Sequence, residues 1–231
     1  MYKYLLWDID GTILDFKASE KISIKRLFER FKLGVCTDEM LADYSSINVR
    51  YWELLERGEK TKPEILVGRF IEFFSKYGLD ISLAGAFDHD YQIELGKCPV
   101  FTKNAKDVLA ACQGKYRQIG VTNGTKVAQT GKLETSGLIK ILDAVYISED
   151  LGVEKPHVEF FEHVFKSEGI ADRNTALIIG DSLTSDMQGG INYGIDTCWF
   201  NPQHKENKKN LQITYEVDDL QKILNILAAR G

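Results

Sequence analysis

Long hydrophobic runs are missing from this chain. No apolar stretch approaches the ~20 residues that cross a bilayer, so a membrane is not an expected partner. Cysteine is sparse: Cys36, Cys98, Cys112 and Cys198 are scattered, with no Cys-Xaa-Xaa-Cys pair and no histidine at zinc-ligand spacing. That pattern excludes a disulfide scaffold or a zinc module as the organising principle. With Met1-Tyr2-Lys3 running directly into an apolar segment and no export signal, free buried thiols in a reducing cytoplasm are expected. The four histidines, His89, His157, His163 and His204, form no cluster and read as solvated or structural. Positive charge is not in excess either. The 29 Lys and Arg against 34 Asp and Glu leave a net charge of −5, which argues against a nucleic-acid polymer or an anionic membrane as partner. The one basic cluster, Lys205-Glu206-Asn207-Lys208-Lys209, contains an acid, follows Pro202 and reads as a solvated loop. Internal repeats and low-complexity segments are absent, and no pattern specifies an oligomeric state.

What is present is a 44% hydrophobic chain of 231 residues, enough for one domain of about 150 residues and a smaller second one. Its first segment, Tyr4-Leu5-Leu6-Trp7-Asp8-Ile9-Asp10-Gly11-Thr12, reads as a buried strand ending in two aspartates and a turn. Ile13 to Phe16 follow as a short hairpin-like exit. For about eighty residues the apolar period is then helical. A first helix carries Ile22 to Phe31 and ends around Leu33-Gly34, a long second one runs from Met40 to about Arg57-Gly58, and Thr61-Lys62-Pro63-Glu64 is a capping box opening a third. A fourth covers 83–95. Beyond Pro99, helices, among them a short one over 185–193, alternate with apolar strands at 118–122, 144–147, 176–179 and 197–200, with a last edge strand at 213–217. This predicts an α/β fold: a doubly wound, Rossmann-like parallel sheet built from 1–15 and 97–231, with residues 16–96 as an inserted all-helical domain. The insert hangs over the sheet edge that carries Asp8 and Asp10, the edge where open α/β sheets bind ligands.

Polar residues collect at that edge. Thr122-Asn123-Gly124 ends one strand and precedes a helix, so it can present donors to a phosphate, although an ordinary N-cap would look the same. Lys155-Pro156 stands at the mouth of another helix. Gly180-Asp181-Ser182-Leu183-Thr184-Ser185-Asp186 brings two further aspartates, more than a cap requires. Taken alone, Asp8-Ile9-Asp10-Gly11 fits a surface turn equally well. Four aspartates and one lysine at one edge, however, make an acidic site needing a hard divalent cation, and oxygen ligands favour Mg²⁺.

These motifs, in this order and each after a strand, resemble those of the haloacid dehalogenase-like hydrolase superfamily. Within it, Asn48-Xaa-Xaa-Tyr51-Trp52-Glu53-Leu54-Leu55-Glu56-Xaa-Gly58, Arg69-Phe70, Gly189-Gly190-Ile191-Asn192 and Thr197-Cys198-Trp199-Phe200-Asn201-Pro202 are similar to the noncanonical pyrimidine 5′-nucleotidase branch. The resemblance implies a Mg²⁺-dependent phosphatase acting on a small-molecule phosphomonoester, with the insert as a cap. Asp8 is then the nucleophile and Asp10 the general acid and base. Asp8, the Asp10 backbone carbonyl, Asp181 and Asp186 serve the metal, and Thr122, Asn123, Gly124 and Lys155 the phosphoryl oxygens. Asn48, Trp52 and Arg69 become candidates for substrate binding. Dehalogenation, also found in the superfamily, fits poorly with Asp10 and the acidic motif; a sugar-phosphate phosphatase or phosphomutase stays open, because caps choose substrates. The cap aromatics Phe28, Phe31, Tyr44, Trp52, Phe70 and Phe74 are expected mostly in its core, with one or two facing the site.

Overall fold

The computed structural model describes residues 1–230. Strand β1 (Tyr4–Trp7) is followed by four helices before any other strand forms: α1 (Phe16–Arg30), α2 (Asp38–Glu56), α3 (Lys62–Lys76) and α4 (Ala84–Lys97). Then come α5 (Ala105–Cys112), β2 (Arg117–Thr122), α6 (Lys126–Ser136), β3 (Ala144–Ile147), α7 (Ser148–Leu151) and α8 (Val158–Glu168). The chain closes with β4 (Ala176–Gly180), α9 (Gln188–Tyr193), β5 (Asp196–Phe200), β6 (Tyr215–Val217) and α10 (Lys222–Ala229). Every strand pair is parallel, in the order β3-β2-β1-β4-β5-β6. The winding reverses between β1 and β4, so the crevice beyond their C-terminal ends is the natural ligand site of this fold.

The central strands β1 and β4 carry no charged side chain and are buried on both faces. In β1, Leu5 and Trp7 point to one side, packed with Val108 and Leu109 of α5 and Ile223 of α10. Leu6 points to the other, among Phe160, Phe161 and Val164 of α8. Leu6 also sits in register with Ile119 of β2 and Ile178 of β4. The helical insert has its own core, dominated by rings: Tyr44 stacks on Phe70 with centroids 5.0 Å apart, and Phe28, Phe73, Phe74 and Phe87 close around them. Its helices start where side chains satisfy the first N–H groups, with Asp15 accepting from Ala18 N, Thr37 from Met40 N and Glu64 from Thr61 N. The chain enters and leaves this block along paired segments, Asp15 N donating to Val100 O and Thr102 N to Ile13 O. A second attachment is α4 on α6, where Gly96 and Gly131 let the backbones meet and Thr125 Oγ1 donates to Gln92 Oε1 at 2.8 Å.

The expected helix over 185–193 is split. Leu183–Met187 forms one wide π turn before α9, because Ser182 Oγ accepts from the N–H groups of Thr184 and Ser185 while Met187 N reaches back to Ser182 O. The last strand is shorter than expected, and the loop after β3 contains α7. No helix among the described residues is long and apolar enough to cross a membrane.

Candidate active site

Five chain segments converge at the C-terminal edge of β1, β2 and β4. Asp8 leaves β1 buried, and its Oδ2 accepts from Thr12 Oγ1 at 3.0 Å. Lys155, 1% exposed, comes from the loop before α8. Its Nζ donates to Asp8 Oδ1 at 2.9 Å, Asp186 Oδ1 at 2.7 Å and Val121 O at 2.8 Å. All three of its protons are thereby used. The π turn is what aims Asp186 inward, where its second oxygen accepts from Ser182 N at 3.1 Å. Asp181 follows β4, and Trp199 Nε1 holds its carbonyl at 3.0 Å. Two glycines make the approach possible. A Cβ on Gly11, which has φ +95°, would lie 2.6 Å from the Asp181 carboxyl, and one on Gly180 would collide with the Asp186 carboxylate.

Carboxylate oxygens of Asp8, Asp181 and Asp186 lie within 4.8 Å of one another. Burial, reinforced by Asp186, pushes the Asp8 carboxyl well above its ordinary range, and Lys155 only partly opposes this. Burial and Asp186 likewise push Asp181 up to about 7. Burial alone would lower the Lys155 ammonium, but Asp186 and Asp8 outweigh it and raise it. Three crowded hard-oxygen donors, of which Asp8 and Asp181 have ionised forms disfavoured by burial and by neighbouring carboxylates, fit a divalent cation such as Mg²⁺.

The other expected residues are placed unequally. Thr122 is buried at the cleft floor, its Oγ1 accepting from Gly124 N at 3.1 Å. The Asn123 side chain clamps the Lys155 backbone, donating to its carbonyl at 2.8 Å and accepting from its N–H at 2.9 Å. The Asp10 carboxylate lines the cleft but stands outside the acidic triad, with Gln129 Nε2 and Lys132 Nζ each 2.6 Å from one of its oxygens. Above these residues a cleft of about 470 Å³ runs under α2, lined on the insert side by Phe16, Asn48, Trp52, Glu53 and Glu56. Burial pushes the Glu56 carboxyl up to about 7.

Arg69 is a correction: it does not face the cleft. Its guanidinium is 2% exposed inside the insert, donating to Asn48 Oδ1 at 2.6 Å and Asp88 Oδ1 at 2.9 Å, and lying over the rings of Phe70 and Tyr91. Asn48 touches the cleft, but its amide is held between Arg69 and Glu20. Of the insert aromatics singled out in the sequence, Trp52 faces the site, and Phe16 joins it. The basic stretch expected as a solvated loop is exposed, yet Lys205, Lys208 and Lys209 stand at the cleft rim. Asn201 ties the loop there by gripping the Lys205 backbone. Gln129 and Lys132 were also missed; the available signal was two polar residues on the buried face of α6, beside Ala128 and Leu133.

A doubly wound sheet with a helical insert after β1 and this acidic edge defines a hydrolase of the haloacid dehalogenase type. The chain belongs to the haloacid dehalogenase-like hydrolase family, whose sequence model matches residues 5–200. It is 38% identical over 229 residues to the pyrimidine 5′-nucleotidase PynA of Streptococcus pneumoniae, covering 98% of this chain and 95% of that one. YfnB of Bacillus subtilis is 36% identical over 226 residues, with the same coverage. A crystal structure of YfnB bound to magnesium, which reveals interdomain movement, superposes with a TM-score of 0.92 at 35% identity, over 98% of each chain. The pyrimidine 5′-nucleotidase YjjG of Escherichia coli is 27% identical over 226 residues, 98% of each chain.

Proposed function

We propose that this chain is a Mg²⁺-dependent phosphomonoester hydrolase, working through an aspartyl-phosphate on Asp8 and preferring pyrimidine nucleoside 5′-monophosphates. The observation that carries the chemistry is the buried Lys155 ammonium bridging Asp8 and Asp186 on the floor of a cleft roofed by Trp52. The Thr122 hydroxyl can donate to a phosphoryl oxygen, the Asn123 backbone N–H can add a second donor, and the Lys155 ammonium supplies positive charge beside them. An Asp8 oxygen attacks phosphorus as the bond to the nucleoside oxygen breaks, and Asp10 supplies the proton to that oxygen. Water then forms a new bond to phosphorus, its proton passes to Asp10, and Asp8 is released as carboxylate with inorganic phosphate as product. Asp8, Asp181, Asp186 and the Asp10 carbonyl would hold Mg²⁺, which would neutralise the charge gathered by the carboxylates and the phosphate.

The substrate preference rests on the relatives named pyrimidine 5′-nucleotidases and on the roof of the cleft. In this reading residues 16–96 act as a cap, and Trp52 and Phe16 offer ring faces to a base. The test compares kcat/KM for UMP, AMP and glucose 6-phosphate in one buffer, with Mg²⁺ and after chelation. UMP should lead and EDTA should abolish turnover. Equal or better rates with glucose 6-phosphate or AMP would refute the nucleotidase assignment, and full activity after rigorous chelation would remove the metal.

A further inference from the structure

Helix α6 buries two polar side chains on one face. Gln129 is fully buried and Lys132 1% exposed, and they lie one turn apart. Both end on the same carboxylate: Gln129 Nε2 donates to Asp10 Oδ2 and Lys132 Nζ to Asp10 Oδ1, each at 2.6 Å. The ring of Phe16 also lies beside the lysine, its centroid 5.2 Å from Nζ. Burying an ammonium is expensive, and an apolar side chain of the same length would fill this space with no desolvation penalty. A hydrophobic side chain could not, however, hold Oδ1 while Gln129 holds Oδ2, the pair of contacts that stops the Asp10 carboxylate from turning. We propose that Lys132, assisted by Gln129, is a positioning residue that orients the Asp10 carboxylate toward the water that hydrolyses the aspartyl-phosphate. This rests on the roles of Asp8 and Asp10 given above.

In that step the water oxygen bonds to phosphorus, the bond from phosphorus to Asp8 breaks, and the water proton passes to Asp10. Each carboxylate oxygen has more than one acceptor direction. Helix α6 takes one on each oxygen and leaves the others toward the cleft that Asp10 lines. Alignment of this kind matters to rate, because a displacement of about 1 Å can cost roughly a hundredfold. The helix is itself seated on α4 of the insert through Gly96 and Gly131, so the grip on Asp10 is built on the junction between the two parts of the molecule.

The test uses Lys132→Met and Gln129→Leu with p-nitrophenyl phosphate and Mg²⁺ under rapid quench. This leaving group departs without a proton, so formation of the phosphoenzyme does not need Asp10, whereas its hydrolysis does. In Lys132→Met, hydrolysis of trapped phosphoenzyme should slow about ten- to a hundredfold while its formation changes less than about threefold, so that it accumulates. Gln129→Leu should show a smaller shift in the same direction. Equal slowing of both halves would mean a merely structural role and would overturn the inference, as would no slowing of either. Should Lys132→Met fail to fold, the same criteria applied to Gln129→Leu decide the matter. A wild-type enzyme that forms no phosphoenzyme sinks the reading of Asp8 and this inference with it; a wild type that forms one beside unselective variants sinks the inference alone.

Discussion

Replacing Lys155 by methionine keeps the length of the side chain and removes the ammonium on which Asp8, Asp186 and the Val121 carbonyl depend. Two carboxylates would then face each other without compensation in a site where both are buried. Breaking a buried pair by removing one partner typically costs about 3–5 kcal/mol. For a chain of this size that corresponds to a fall in Tm of roughly 6–20 °C. The pH dependence has a definite sign. Lys155 is what opposes the upward push of burial and Asp186 on Asp8, so its loss raises that carboxyl further. A carboxyl held above its unfolded pKa takes up a proton on folding, so its penalty is absent below the unfolded value and grows as pH rises toward the folded one. The deficit of the variant should therefore be large at pH 8, measured by thermal melting in EDTA, and shrink toward pH 4. Activity should be lost throughout. A deficit of equal size at both pH values, or an unchanged Tm at pH 8, would refute the idea that Lys155 holds the acidic cluster together.

Glu20 is buried in the insert and its carboxyl is pushed up to about 7 by burial, with Ser45, Arg69, Lys17 and Asn48 opposing. Wild-type stability should decline from about pH 4.5 to 7, and Glu20→Gln should be the more stable protein at pH 8, by at most about 3 kcal/mol, with parity near pH 4.5; a less stable variant at pH 8 in chemical denaturation contradicts this. Gly180→Ala forces the Asp186 carboxylate off its present position. Its kcat should fall roughly a hundredfold, with a higher Mg²⁺ requirement in an activity titration. Trp52→Ala should lower the ratio of kcat/KM for UMP over glucose 6-phosphate by about ten- to a hundredfold, the worth of one stacked base. An unchanged ratio would remove Trp52 from recognition.

The sheet was legible because its strands carry short, mostly apolar runs that stop abruptly, as Ala176 to Ile179 does before Gly180-Asp181. The acidic edge was legible for the same reason: parallel strands of one sheet deliver their C-terminal residues to one side, so order along the chain becomes proximity in space. Arg69 was not, because helical spacing in α3 does not reveal that Asp88, on the neighbouring helix α4, neutralises it inside the insert. Lys132 was hidden likewise, its partner lying 122 residues earlier in the chain. The π turn escaped because one hydroxyl, that of Ser182, sets the width of the helix start. The lysines of the β5–β6 loop looked solvated, and they are, yet with Asn201 gripping the Lys205 backbone they stand at the cleft rim.

The central claim is that phosphate passes through Asp8. Its most direct test is acid-quenched single turnover with Mg²⁺ and a pyrimidine nucleoside monophosphate labelled in the phosphate, followed by proteolysis and mass spectrometry of the peptide spanning β1. The label should appear on Asp8 in the wild type and be absent from Asp8→Asn, which retains shape but has no nucleophilic oxygen. Label on another residue, or an active Asp8→Asn enzyme, would contradict the account.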